Sequence, residues 1–275
     1  KSNKHPHAPC AVDLAADAIC EFASHLRNAA STRGSSSMTQ TSPPGFPPVT
    51  AVLGHSLGGK IALRVLSRLA ARAGSSNGAS NVHLNAPRAQ WWTLDTVPGG
   101  VASVGDPHGV RRVINAVARL PREFETRESL NAALVGSGHT FPKDLVDWLG
   151  TNLVPVDVAN PKNSKLTWQF DVEGVSCLYE SYETNDSNAL SVAIDPPPGH
   201  ETHVIKAARS ERWDDCVLAA LTKTNGDDKT NASFHTLANA GHWLHVDNPD
   251  GLLDLIAPNL VRLGRELREW QNRNR

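Results

Sequence analysis

Hydrophobic residues recur along the chain at two spacings, which predict alternating strands and helices. Short apolar runs closed by small or polar residues predict strands at 49–53, 90–97, 203–208 and 233–237. Apolar residues three and four positions apart predict amphipathic helices at 11–26, 60–72 and 252–270. Strands that alternate with helices indicate a parallel sheet covered by helices, an α/β fold.

Two residues are expected to shape the last predicted helix. Asp250 lies just before its first apolar residue, Leu252, and is a candidate N-cap. Pro258 lacks an N–H group and its ring clashes with the preceding turn, so we expect it to kink or interrupt the helix.

The strand pattern lapses between about 105 and 185. Short helices are predicted at 110–120, 127–134 and 142–151, followed by an apolar stretch at 166–170. This indicates an inserted helical cap at 105–185. The core is then divided into a first part, 1–104, and a second part, 186–275, with Ser-, Gly- and Pro-rich linkers predicted at 31–48 and 74–80.

Composition excludes several classes of partner. A net charge of −1 over 275 residues gives no basic face for nucleic acid, and the apolar runs are too short to span a bilayer. The four cysteines lack metal-ligand spacing and are expected to be free thiols. No glycine-rich phosphate loop or metal cluster is present in the sequence, so we expect neither cofactor nor metal; the oligomeric state stays open.

A predicted strand, a bend of small residues and a predicted helix meet at residues 54–59. The bend reads Gly-His-Ser-Leu-Gly-Gly, with Ser56 at its centre. This pattern is typical of a nucleophile elbow, where a serine in a strained conformation exposes its hydroxyl at a strand end. We expect Gly54 and Gly58 to be small so that strand and helix can approach. The N–H group of Leu57 is expected to stabilise an oxyanion.

A serine hydroxyl needs a base, and the base needs an acid to orient it. His242 follows Gly241, whose small size lets the loop turn toward the elbow, and an imidazole suits proton transfer near neutral pH. His245, three residues later, is the alternative base. His55 adjoins the nucleophile but points away from its hydroxyl, so we expect it to line the substrate pocket.

The acid has three candidates. Asp95 ends the strand after the elbow helix, from which a carboxylate can reach the histidine. Burying an unpaired carboxylate is costly, so Asp95 needs a hydrogen-bond partner. The competing interpretation is that this partner is a backbone N–H group at the strand end and not the histidine. Glu211 and Asp214 are the other candidates, in the turn where Ser210 occupies the usual acid position.

Several segments form an ordered set that resembles one family. They include Gly-His-Ser-Leu-Gly-Gly-Lys-Ile-Ala at 54–62, Leu-Asp-Thr-Val-Pro at 94–98 and Ala-Gly-His-Trp-Leu-His at 240–245, with shorter matches at 126–130, 149–153, 166–168 and 207–210. The chain resembles the α/β-hydrolase branch that holds the bacterial YbfF-type esterases and the eukaryotic abhydrolase domain-containing protein 11. In that branch serine also replaces the acid after the cap, and the aspartate after the sixth strand serves instead, which favours Asp95.

The resemblance implies an α/β-hydrolase fold whose cap shapes the acyl pocket. The candidates for that pocket are Trp148, Leu153, Trp168 and Phe170. Ordinary packing inside the cap is the competing interpretation for each of them.

The sequence departs from this branch at its start. Family members have three or four strands before the helix near residue 11, and the third ends in a His-Gly loop that donates an oxyanion N–H group. About ten residues precede that helix here, so we expect an N-terminally incomplete chain. Loss of one such donor costs a factor of about 10² to 10³ in turnover. The strand at 49–53 would then present an apolar edge that invites pairing with another chain.

These features predict a serine hydrolase that cleaves a small acyl ester or thioester through an acyl-enzyme on Ser56. The alternative is a catalytically impaired α/β-hydrolase-fold remnant that acts as a binding protein. The short apolar runs predict a soluble protein, and cysteines interpreted as free thiols favour a reducing, intracellular compartment. The resemblance implies mitochondria or cytoplasm.

Overall fold

A computed structural model describes residues 11–32, 50–73, 89–101, 109–184, 187–225 and 230–273. The strands are β1 Ala51–His55, β2 Ala89–Leu94, β3 Glu123–Phe124, β4 Leu153–Pro155, β5 Leu166–Trp168, β6 His200–Ala207 and β7 Ala232–Leu237. The helices are α1 Ala11–Thr32, α2 Leu57–Ala73, α3 Val110–Ala118, α4 Glu128–Gly136, α5 Lys143–Thr151, α6 Val172–Glu183, α7 Ser187–Ile194, α8 Asp215–Thr222, α9 Leu244–Asp247 and α10 Pro249–Arg273. The predicted loop at 74–80, and the linker at 31–48 beyond its first two residues, lie outside the described residues.

The chain forms two compact units. One comprises Lys1–Val104 with Tyr182–Arg275, and the other comprises Gly105–Ser181. Among the described helices, none is both long and apolar enough to cross a membrane.

The first unit is built on a four-stranded sheet in the order β1-β2-β6-β7. Every neighbouring pair is parallel. Helices flank this sheet, so the predicted α/β fold is confirmed. Strand β2 lies in the interior and all six of its residues are buried, as expected for a central strand covered on both faces.

One side of the sheet packs against α10. Leu94 of β2, Ile205 of β6 and Leu237 of β7 form a core with Leu252 and Ile256 of the helix. Burial of such side chains contributes roughly 1.5–3 kcal/mol each before entropy costs are subtracted. This packing fixes the strand ends from which the candidate site is built.

The expected N-cap of α10 is wrong, and so is an interruption of the helix at Pro258, whereas a kink there stays a prediction. The helix begins at Pro249, and Asn248 Oδ1 accepts the N–H of Gly251 at 3.0 Å, so Asn248 rather than Asp250 caps it. The helix also continues through Pro258 without interruption. Proline removes only one intrahelical hydrogen bond, and buried leucine and isoleucine side chains on either side hold the helix on the sheet.

The outer edge of β1 borders an apolar cavity of about 410 Å³ between α1, β1 and α2. Ile19 and Phe22 of α1 line it, together with Leu53 of β1, and Phe22 is 61% exposed. The predicted apolar face of α1 is therefore only partly buried, at Val12 and Ala16. Among the described strands, only β2 pairs with β1.

The second unit contains the predicted helices α3, α4 and α5, and also a small sheet. Strands β3, β5 and β4 pair antiparallel in that order. The sequence did not predict them, because strands of two or three residues are too short to show an alternating pattern. Leu130, Leu134 and Leu153 are almost fully buried in the core of this unit.

Candidate active site

Ser56 occupies the turn between β1 and α2 in a strained backbone conformation. Its φ of 53° lies in the left-handed region, which non-glycine residues rarely adopt. Its N–H donates to the carbonyl of Leu94 at 3.0 Å, and its own carbonyl accepts the N–H groups of Gly59 and Lys60. Thr96 Oγ1 also donates to that carbonyl at 2.9 Å. The bonds from Gly59 and Lys60 join the turn to α2, and those with Leu94 and Thr96 hold it against the end of β2.

The glycines around the turn have different roles. A Cβ atom on Gly54 would lie 2.3 Å from the carbonyl oxygen of Gly58, and one on Gly59 would lie 2.0 Å from Thr96 Oγ1. Both positions therefore require glycine. A Cβ on Gly58 meets no described atom within 4 Å, so the expectation that Gly58 must be small is wrong for this part of the chain. Gly59 takes that role instead.

Asp95 follows β2 and its side chain has no exposed surface. Its two carboxylate oxygens have separate partners. Oδ1 accepts the indole N–H of Trp213 at 2.9 Å and the backbone N–H of Ala207 at 3.2 Å. Oδ2 lies 2.8 Å from Nδ1 of His242. The carboxylate is thus fixed on one side and presents its other oxygen to the histidine.

This environment keeps Asp95 ionised. Burial raises the pKa of the Asp95 carboxyl, but the hydrogen bonds from His242, Trp213 and Ala207 lower it by more, so the pKa lies below its ordinary value of 3.8. Ser210 adds a smaller lowering, although its buried Oγ makes no hydrogen bond of normal geometry with a described residue.

His242 lies in the loop between β7 and α9, with 17% of its side chain exposed. Because Nδ1–H donates to an ionised carboxylate, Nε2 is the ring nitrogen that can take up a proton. His55 donates from Nε2 to the backbone carbonyl of His242 at 2.7 Å. The residue before Ser56 therefore contacts the loop that carries the predicted base.

The alternative residues have other surroundings. His245 is exposed and lies edge-on to His55, with ring centroids 5.4 Å apart. Asp214 accepts the backbone N–H groups at the start of α8, and Glu211 is exposed. The structure pairs Asp95 with His242, and their catalytic roles stay predictions. Among the described residues, no three potential ligands are placed to hold a metal ion.

The remaining predicted site residues are Leu57, Trp148 and Trp168. Leu57 is the first residue of α2, where N–H groups lack an acceptor within the helix. Trp168 is 7% exposed and packs edge-on against Phe124 inside the second unit, whereas Trp148 of α5 is 60% exposed. Their place in a substrate pocket stays a prediction.

Comparison with known proteins identifies the family. The model of the alpha/beta hydrolase family matches residues 4–255, and the chain belongs to this family. No curated protein matches it in sequence. An esterase from a marine microorganism has a similar structure, with a TM-score of 0.55 and 16% identity over 93% of this chain and 80% of that one. The structure of E-2-(acetamidomethylene)succinate hydrolase is similar with a TM-score of 0.50 and 14% identity, over 93% of this chain and 75% of that one.

Proposed function

We propose that this protein is a serine hydrolase that cleaves a small acyl ester or thioester through an acyl-enzyme on Ser56. One observation carries the proposal. The buried carboxylate of Asp95 holds Nδ1 of His242, and the backbone of His242 is bonded to the residue that precedes Ser56. Membership of the alpha/beta hydrolase family supports the same class of reaction.

In the proposed reaction, Ser56 Oγ attacks the acyl carbonyl carbon while Nε2 of His242 takes the hydroxyl proton. Asp95 stabilises the imidazolium that forms, and the Leu57 N–H group stabilises the oxyanion. The leaving alcohol or thiol takes the proton from His242 as its bond to carbon breaks. Water then repeats these steps on the acyl-enzyme and releases the acid, which returns Ser56 to its starting state.

The finer assignments belong to the same proposal. The resemblance to YbfF-type esterases and abhydrolase domain-containing protein 11 favours an acyl ester or thioester as substrate and a mitochondrial or cytoplasmic location. No cofactor is needed for this chemistry.

The experiment is covalent labelling of the folded chain with a fluorophosphonate. We expect a single adduct on Ser56 and turnover of p-nitrophenyl butyrate, with both lost in Ser56→Ala and turnover lost in His242→Ala. Ser67→Ala is a matched control, because Ser67 lies on α2 and its hydroxyl bonds the carbonyl of Leu63.

A folded protein that is neither labelled nor active would overturn the proposal and favour the binding remnant. An adduct on a residue other than Ser56 would overturn the assignment of the nucleophile. Circular dichroism of each variant shows whether it is folded.

A further inference from the structure

His55 makes one well-defined polar contact. Its Nε2 atom lies 2.7 Å from the backbone carbonyl oxygen of His242, a residue 187 positions away. The two rings also lie close together, with centroids 4.7 Å apart. The rings of Trp243, in the same loop, and of His245, in α9, lie 5.4 Å each from the His55 ring, centroid to centroid. The end of β1 is thus packed into the loop that carries the predicted base.

The chemistry of this contact fixes the state of His55. A carbonyl oxygen can only accept, so Nε2 of His55 must carry a hydrogen. Burial lowers the pKa of His55 and outweighs the raising effect of its hydrogen bond to the His242 carbonyl. The ring is therefore neutral near pH 7, with its hydrogen on Nε2 and a lone pair on Nδ1.

We propose that His55 is a positioning residue, which holds the backbone of His242 at a fixed distance from Ser56. This inference rests on the proposed function. The side chain of His242 is held by Asp95, and a second point of attachment at its carbonyl stops the ring from pivoting about that contact. Because His55 and Ser56 are neighbours, the end of β1 orients both the nucleophile and the base.

A further restraint on the same loop acts at Gly241, which precedes His242. Its N–H donates to Oδ2 of Asp247, the last residue of α9, at 2.6 Å. The bond from His55 adds a restraint that ties His242 itself to β1.

The test compares two substitutions of His55 in the full chain. His55→Phe keeps a planar ring but removes the donor, whereas His55→Gln retains an N–H donor. We expect His55→Phe to lower kcat about tenfold with a change in KM of less than about threefold, since one hydrogen bond is lost in positioning the base. His55→Gln should recover most of the lost kcat. The rate of fluorophosphonate labelling of Ser56 should follow the same order.

Three outcomes overturn the inference: equal kcat in His55→Phe and wild type, equal losses in both variants, or a loss confined to KM. If wild type labels at Ser56 and both variants label as fast as wild type, the inference fails and the proposed function stands. If wild type does not label, the proposed function fails. Long-range ¹H–¹⁵N spectra of wild type need no variant to fold, and a hydrogen on Nδ1 of His55 instead of Nε2 would overturn the inference directly.

Discussion

Asp95 is the residue on which the hydrogen bonds of the candidate site converge. Its φ of 43° places it in the left-handed region, which turns the chain sharply at the end of β2. A fully buried carboxylate without partners would be severely destabilising, and three donors from different parts of the chain offset that cost. The strained backbone and the hydrogen bonds together aim one oxygen at His242.

Trp213→Phe tests the contribution of the indole donor. This change removes the N–H that bonds Asp95 Oδ1 and keeps an aromatic ring. A buried hydrogen bond to a charged group contributes about 1.5–3 kcal/mol, so we expect the free energy of unfolding at pH 7 to fall by that order. The pKa of Asp95 should rise, because one of the groups that lower it is gone. Because the folded pKa moves closer to the unfolded value of about 3.9, Asp95 should contribute less stability at neutral pH and lose less as pH falls. The free energy of unfolding of the variant should therefore depend less on pH below about 5 than that of wild type, which urea titrations between pH 3 and 7 would show.

Trp91→Phe is the matched control for that prediction. It removes a hydrogen bond from the same atom type to a neutral acceptor, Nδ1 of His200, away from Asp95. It should cost less stability and leave the titration of Asp95 unchanged. Equal effects of the two substitutions would contradict the role given to Trp213.

Sequence reasoning reached some of these residues but not others. Ser56 could be predicted because a strand, a glycine-flanked serine and a helix follow one another locally. Predicting His242 and Asp95 also required an expectation of which strand ends lie next to each other in the sheet. Trp213 was missed because an indole donor has no characteristic spacing from the carboxylate it serves, 118 positions away. Its contact depends on the path of the chain after β6.

At the scale of elements, the elbow depends on how closely β1 approaches α2. Gly54 on the strand faces the backbone of Gly58 on the helix, at a distance that leaves no room for a side chain. Backbone atoms cannot move aside as the end of a flexible side chain can. The spacing between strand and helix therefore depends on this one missing methyl group.

Gly54→Ala and Gly58→Ala form a matched pair of substitutions. We expect Gly54→Ala to lower the free energy of unfolding by about 1–3 kcal/mol, as overpacking does, and to abolish labelling of Ser56. Gly58→Ala lies in the first turn of α2 with open space at its Cβ, so it should be neutral or stabilising by up to about 1 kcal/mol. Thermal unfolding measures the change in stability of each variant, and fluorophosphonate labelling measures the reactivity of Ser56. Similar behaviour of the two would contradict the packing described for the elbow.

The sequence predicts which helices and strands of the sheet are present more accurately than it predicts where each one begins and ends. All four strands of the parallel sheet were predicted, because each is an apolar run between turn residues. The start of α2 was placed at residue 60 rather than at Leu57, since Gly58 and Gly59 are weak helix formers whose role lies in the turn. The sequence does not point to Asn248 as the cap, because Pro249 and Gly251 in the first turn of α10 are weak helix formers and the apolar pattern starts only at Leu252.

At the scale of the whole molecule, three partly buried histidines link stability to pH. Burial lowers the pKa values of His55, His200 and His235, and the charge of a neighbouring histidine adds to the lowering at His235. Below pH 6.5, the ordinary pKa of histidine in the unfolded chain, these side chains bind protons in the unfolded state but not yet in the folded state. Their contribution to stability is therefore fully present above pH 6.5 and is lost as pH falls through the lowered folded values.

We expect urea unfolding to show a lower free energy at pH 5.5 than at pH 7.5. His200 provides a variant for the test, because its Nδ1 accepts the indole N–H of Trp91 at 3.0 Å and cannot do so when protonated. His200→Asn offers an amide oxygen as acceptor without a titratable ring, and it should flatten the pH dependence. A pH dependence that is unchanged in this variant would exclude a contribution from His200.

The order in which the donors to Asp95 occur along the chain has a consequence for biosynthesis. Ala207, Trp213 and His242 follow Asp95 by 112, 118 and 147 positions. At roughly 5–20 residues per second, a ribosome needs about 7–30 s to make the last of them after the aspartate. Throughout that interval the nascent polypeptide carries a carboxylate that it cannot yet bury, so β2 must wait, hydrated or held by a chaperone, until β6 and the loop beyond β7 emerge.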